Sequence, residues 1–140
     1  MACVFCEIVA GTAPAIRIHE DDDFLGILDI RPFTRGHTLV IPKRHSVDLS
    51  DTPPATLAGM AQVGQRIARA ARTSRLGATG TNFAINDGKS AFQSVFHIHL
   101  HVVPRRDRDK VAFVTGMVLR RDPDREATGQ ILRDALAVLS

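Results

Sequence analysis

Tryptophan and tyrosine are both absent from the 140-residue chain, whose aromatic residues are seven phenylalanines. A surface that stacks single-stranded bases interleaves aromatic rings with cations, and no stretch has that pattern, so nucleic-acid binding is unsupported. No uninterrupted apolar run approaches the ~20 residues that cross a bilayer, which argues against a membrane protein. The N-terminus opens Met-Ala-Cys-Val-Phe-Cys-Glu, without a basic segment ahead of an apolar one. No secretory signal is therefore expected, and the expected compartment is the cytoplasm. Charge of one sign is also scarce: Lys+Arg 18 against Asp+Glu 15 gives +3 with histidine neutral. That balance is compatible with a phosphate-bearing ligand and too weak to indicate nucleic acid. Cysteine is nearly missing. Cys3 and Cys6 form a single C-x-x-C pair, a spacing that in a cytosolic chain suggests metal or redox chemistry rather than a disulfide.

What is present fits an ordinary globular domain: 44% hydrophobic and 24% charged residues, over a length that predicts one domain spanning 1–140. There is no internal repeat and no low-complexity tract. Residues 24–30, Phe-Leu-Gly-Ile-Leu-Asp-Ile, read as a buried strand after an acidic turn. Arg31 to Gly36 makes a turn, and His37 to Ile41 is β-branched enough to be the returning strand of a hairpin. Pro53-Pro54 opens a helix that runs to about Arg75. Leu57, Met60, Ala61, Gly64, Ile67, Ala68 and Ala71 recur on its apolar face, while Arg66, Arg69, Arg72 and Arg75 make a solvated one. Thr81 to Asn86 is a third strand, Asp87 to Ser94 a polar loop, and Val95 to Val103 a strongly alternating strand. Asp122-Pro123 starts a C-terminal helix that reaches Leu139. Several strands, one long helix and short connections indicate an α+β domain with a mainly antiparallel sheet.

Residues 97–103 carry the chemistry: His-Ile-His-Leu-His-Val-Val. Side chains alternate across a strand, so His97, His99 and His101 share one face. Three imidazoles in a row are costly to bury without partners for their ring nitrogens, which argues against core packing. Two readings remain. In one the rings hold a metal, although the outer two, ~13 Å apart on a regular strand, cannot readily share one ion. In the other the central ring is a nucleophile, since an imidazole with an ordinary pKa of about 6.5 is largely neutral at pH 7. Gly88-Lys89-Ser90 looks like the end of a P-loop, but that motif requires glycine where this chain has Phe83.

The run His97-Ile98-His99-Leu100-His101-Val102-Val103 matches the H-φ-H-φ-H-φ-φ signature. The chain thereby resembles the histidine triad (HIT) family of nucleotide hydrolases and transferases, and within it HINT-like bacterial members with an N-terminal C-x-x-C. The likeness extends to Gln93-Ser94-Val95, Pro104-Arg105, Asn86, His37 to Lys43, Leu28-Asp29-Ile30 and Phe5-Cys6-Glu7-Ile8. It spans roughly residues 3–105 and leaves 106–140 as a C-terminal extension. The resemblance implies a HIT-like fold, with a five-stranded sheet, one long central helix and a C-terminal helix. It also implies a homodimer with joined sheets and a purine nucleotide as substrate.

By the same resemblance His99 is the nucleophile that forms a nucleotidyl-histidine, and His101 binds the α-phosphate and meets the leaving group. His37 supports the triad's hydrogen bonds from behind. Asn86, Gln93 and Ser94 line the phosphate and leaving-group site. Asp29 takes the ribose hydroxyls, and Phe5, Ile8, Ile27, Ile30 and Leu39 wall the base pocket. Asp29 at a strand end also suits a turn cap, and Asn86-Asp87-Gly88 also suits a hairpin turn. Two cysteines supply half of a tetrahedral zinc site. The resemblance implies that His45 and His97 complete it with Cys3 and Cys6, which makes the zinc structural and leaves His99 and His101 free. The expected activity is release of a nucleoside 5′-monophosphate, AMP above all, from a phosphoramidate or similar leaving group. The alternatives are dinucleoside polyphosphate hydrolysis or transfer, and a non-catalytic zinc-bearing nucleotide-binding module.

Overall fold

The structure, a computed structural model, describes residues 2–139. Its five strands are β1 (Arg17–Glu20), β2 (Phe24–Leu28), β3 (Thr38–Pro42), β4 (Gly80–Ala84) and β5 (Leu100–Arg105). They form one antiparallel sheet in the order β1-β2-β3-β5-β4. The α+β class and the five-stranded sheet are as expected.

Period-2 alternation sorts the sheet into two faces. Val40, Leu100 and Val102 face the long helix α2 (Pro54–Thr73), whose Met60, Val63 and Ile67 fill the main core. Helix α4 (Arg125–Ala137) lies beside α2 and β1 and adds Leu132, Ala135 and Leu136. Leu25, Ile27, Leu39 and Ile41 point the other way. There they meet Phe5 and Ile8 of the short helix α1 (Val4–Ala10) in a second, smaller cluster. His101 pairs with Leu39 in the ladder and so lies on this second face. One face of the sheet holds the fold together, and the other carries the histidines.

Several boundaries differ from the sequence reading, each for a local reason. The strand expected from Val95 begins only at Leu100, because residues 95–99 bend away from β3: Ile98 N–H donates to the Ser46 carbonyl instead of a strand neighbour. It also continues past Val103 through Pro104 to Arg105. β3 pairs only as far as Val102, so the missing N–H of Pro104 forfeits no bond on that side. The strand expected over 24–30 ends at Leu28, and Ile30 is exposed. β4 closes at Ala84, two residues before Asn86, and is an edge strand with Phe83 open to solvent.

On α2, Met60, Gly64, Ile67 and Ala71 are buried as expected, whereas Leu57 and Ala61 are exposed and Val63 and Ala70 take their place. The apolar face is turned because α4 covers one flank of the helix. Arg69, Arg72 and Arg75 are solvated, while Arg66 is half-buried with Nη2 reaching the Leu136 carbonyl at 3.5 Å. The C-terminal helix begins at Arg125, where the Asp124 carboxylate accepts from Ala127 N–H. A further helix, α3 (Lys110–Leu119), lies where no element was expected.

Candidate functional site

A buried imidazole must satisfy both ring nitrogens, and its partners fix which nitrogen carries the proton. His97 Nε2 lies 2.8 Å from the Pro42 carbonyl, which can only accept, so Nε2 is the donor and Nδ1 holds a lone pair. His99 has the opposite tautomer: its Nδ1–H donates to the His97 carbonyl at 2.8 Å. The lone pair of His99 is therefore on Nε2. His37 Nδ1 accepts from the Phe33 backbone N–H at 3.0 Å, which puts the proton of His37 on Nε2. That proton is donated to His101 Nδ1 at 2.9 Å, so His101 carries its own on Nε2. His101 Nε2 is buried and has no hydrogen-bond partner among the described residues. The His99 and His101 rings stand 5.0 Å apart. The site thus presents a bare lone pair beside an unused N–H donor.

Burial dominates the proton affinities. It lowers His37 to about 3, with help from the Arg120 charge, and His101 to about 4, with help from His37. His99 is also lowered by burial, only partly offset by its bond to the His97 carbonyl. All three rings are neutral near pH 7. Phe5 packs its ring edge-on against His99, with 5.0 Å between centroids, and against His97.

The first ring of the run faces a separate group. Cys3, Cys6, His45 and His97 each aim one donor atom into a common space, all within 4.8 Å of one another. Cys3 Sγ is 3.4 Å and Cys6 Sγ 3.5 Å from His97 Nδ1, Cys6 Sγ is 3.4 Å from His45 Nδ1, and the two Nδ1 atoms are 3.1 Å apart. Around a tetrahedral zinc the S···N and N···N edges are about 3.5 and 3.3 Å. The residues present fit that ion in number, type and spacing. Convergence of lone-pair donors on one point is unfavourable unless a cation is shared among them. Cys3 caps α1, its Sγ accepting from Cys6 N–H at 3.4 Å, so the helix start sets the C-x-x-C geometry.

Asp29, at the end of β2, accepts from Arg31 N–H through Oδ1 at 2.8 Å. Its Oδ2 is 3.6 Å from His37 Nε2 and 3.9 Å from Arg120 Nη2, both too long for strong hydrogen bonds. Of the expected apolar wall, Phe5, Ile8, Ile27 and Leu39 come together in the second cluster, but Ile30 stands 68% exposed. Gln93 is buried with its amide fully used: Oε1 accepts from Gly88 N–H, and Nε2 donates to the Val47 and Val95 carbonyls. It braces the 87–94 loop. Ser94 beside it is exposed, and Asn86 is half-buried at the start of that loop.

The profile described as HIT domain matches residues 10–108 of the chain. The protein belongs to the HIT family. A HIT-like protein of Mycobacterium tuberculosis is 69% identical over 137 residues, covering 98% of this chain and 94% of its own. The adenylylsulfatase HINT3 of Arabidopsis thaliana is 41% identical over 107 residues, 76% of this chain and 54% of its own length. The adenosine 5′-monophosphoramidase HNT1 of Saccharomyces cerevisiae is 33% identical over 138 residues, 99% of this chain and 83% of its own. Among solved structures, a zinc-bound histidine triad family protein from Mycobacterium smegmatis superimposes with a TM-score of 0.91. It is 74% identical and covers 98% of this chain and 94% of that one.

The HIT match stops before α3, yet α3 reaches the site. Arg120, which caps α3, lies over the Phe33 ring at 4.4 Å and donates Nε–H to the Arg31 carbonyl at 2.8 Å. Neither Arg120 nor Phe33 stood out in the sequence, where both lie outside any histidine, cysteine or carboxylate pattern.

The depressed His37 and His101 values have a measurable consequence. Above about pH 6.5 both rings are neutral folded or unfolded and add no pH dependence. As pH falls below that, the unfolded chain takes up protons that His101 refuses until about 4 and His37 until about 3. Stability is thus present above pH 6.5 and lost progressively down to those values. Urea unfolding at a fixed metal content is expected to give midpoints that fall from pH 6.5 to 4.5. The His37→Gln variant is expected to show a shallower fall, and equal slopes would refute the assignment.

Proposed function

We propose that this HIT protein is a nucleotide hydrolase that releases a nucleoside 5′-monophosphate, AMP in the first instance, from a phosphoramidate or a similar leaving group. The observation that carries the reading is the tautomer of His99, whose Nδ1–H is committed to a backbone carbonyl and whose Nε2 lone pair is free. The Arabidopsis and yeast relatives, named for adenylylsulfate and adenosine phosphoramidate chemistry, support an adenylyl group as the part retained.

In the first step His99 Nε2 attacks the α-phosphorus. An N–P bond forms as the bond to the leaving group breaks, the departing amine takes a proton from solvent, and the His99 ring bonded to phosphorus carries one positive charge. The adjoining His101 Nε2–H donates to a phosphoryl oxygen, where negative charge grows in the transition state. In the second step water attacks phosphorus and the N–P bond breaks. The products are AMP, the neutral imidazole and a proton that the attacking water releases to solvent, which balances the one taken by the amine in the first step. His37 keeps His101 in the donor tautomer, and the His97 carbonyl keeps His99 in the nucleophilic one. Asp29 accepts from the ribose hydroxyls, and the exposed Ser94 lies at the leaving-group side.

Zinc held by Cys3, Cys6, His45 and His97 would act as a structural cross-link, tying α1 and the chain after β3 to the segment that precedes β5. His97 itself does no chemistry in this scheme. We further propose that two copies join through the edge strand β4, where Phe83 is 45% exposed.

Release of AMP from adenosine 5′-phosphoramidate is expected in the wild type and expected to fall at least ~10⁴-fold in His99→Ala, with AMP still bound. Diadenosine polyphosphates assayed in parallel would reveal the other substrate class, and release undiminished in the variant would exclude His99 as nucleophile. Elemental analysis is expected to find about one zinc per chain, lost in the Cys3→Ser/Cys6→Ser double variant. A metal content unchanged by that replacement would exclude the four-residue site. Light scattering is expected to report twice the chain mass, reduced to one chain by Phe83→Lys; a monomeric wild type would refute the edge-strand dimer.

A further inference from the structure

Among the described residues Asp29 Oδ2 is an acceptor without a short hydrogen bond, although the residue is nearly buried. Facing it at 3.9 Å is Nη2 of Arg120, a donor on a side chain that is itself three-quarters buried. An oxygen placed ~2.8 Å from each would bridge the pair at close to a right angle. A hydroxyl suits this arrangement because it donates and accepts at once. Its O–H goes to the carboxylate while its lone pair takes the guanidinium N–H.

The guanidinium is held in place from several sides. Arg120 follows α3 in the left-handed conformation (φ 47, ψ 62), with its N–H on the Gly116 carbonyl at 2.8 Å. Its Nε–H holds the Arg31 carbonyl at 2.8 Å, and its plane covers Phe33. The helix sits close because residue 116 is glycine: a Cβ there would meet the Phe33 carbonyl oxygen at 1.9 Å. Phe113 adds an edge-on contact to Phe33, whose own ring lies 5.0 Å from that of His37. The helix outside the HIT match therefore carries a fixed cation to the Asp29 carboxylate.

We propose that Arg120 is a substrate-binding, specificity-determining residue that completes a diol clamp with Asp29, making the site select nucleotides with free 2′- and 3′-hydroxyls over their deoxy forms. The clamp rests on the nucleotide reading above and extends it to a residue from the C-terminal extension.

Calorimetric binding of AMP and of 2′,3′-dideoxy-AMP to the full-length protein tests the clamp, using wild type, Asp29→Asn, Arg120→Ala and Arg120→Gln. The glutamine keeps a donor for the Arg31 carbonyl should the alanine variant fold poorly. Wild type is expected to prefer AMP. Both Arg120 variants are expected to weaken AMP on the order of 10-fold while changing dideoxy-AMP less than about 2-fold. Equal weakening of the two nucleotides would show that Arg120 merely supports the 31–36 loop, and unchanged binding of both would show that it does nothing at the sugar. Either result overturns the clamp. If Asp29→Asn alone removes the preference, the carboxylate keeps its sugar role and only the Arg120 assignment falls. A wild type that binds neither nucleotide would instead overturn the nucleotide reading itself.

Discussion

Buried imidazoles cannot leave nitrogens unpaired cheaply, and this requirement organises the whole site. Four partners decide four tautomers: the Pro42 carbonyl for His97, the His97 carbonyl for His99, the Phe33 N–H for His37, and the His37 Nε2–H for His101. The chain of donors runs from Phe33 N–H through His37 to His101 and ends on a buried N–H that has no partner among the described residues. Beside it lies one lone pair, on His99 Nε2. A buried donor without a partner is destabilising in the free protein, and a phosphoryl oxygen would relieve that cost. Burial also lowers the proton affinity of these rings, which keeps the lone pair available near neutral pH without a neighbouring base.

The side chains that do this were legible because residue chemistry and strand period coincide. Three histidines at alternate positions share one face whether or not the backbone is paired, and the face persists through residues 97–99 although β5 starts only at Leu100. The bend there would not be read from the β-branched pattern, since it comes from Ile98 bonding the Ser46 carbonyl, a partner far away in sequence. Burial on α2 was legible to within one side of the helix. Val63 and Ala70 replace Leu57 and Ala61 in the core because α4 lies against one flank, and no periodicity within α2 itself reports a neighbour.

Helix α3 shows the opposite case, in which apolar patterning points away from the face that packs on Phe33. Val111, Val114 and Val118 recur at helical spacing and are 81%, 61% and 78% exposed. The residues that touch the site-bearing loop are Phe113, Gly116 and Arg120, at the same spacing on another face. An aromatic, a glycine and an arginine make no hydrophobic stripe, so sequence reasoning has nothing to detect. Their contacts are specific in shape and charge: a ring edge, a close backbone approach, a guanidinium over a ring.

The separation of His97 from His99 follows from the same geometry. Two residues apart, their rings lie on one face yet have opposite tautomers, so His97 turns Nδ1 toward the cysteines while His99 turns Nδ1 back to the His97 carbonyl. That carbonyl belongs to a residue whose ring is fixed by Pro42 on one nitrogen and faces Cys3, Cys6 and His45 with the other. Anything that pins the His97 ring therefore also pins the acceptor that sets the His99 tautomer. The four-donor group lies apart from the His99 and His101 pair but is coupled to it through His97. Its effect on chemistry would be exerted through the position of a backbone oxygen rather than through its charge.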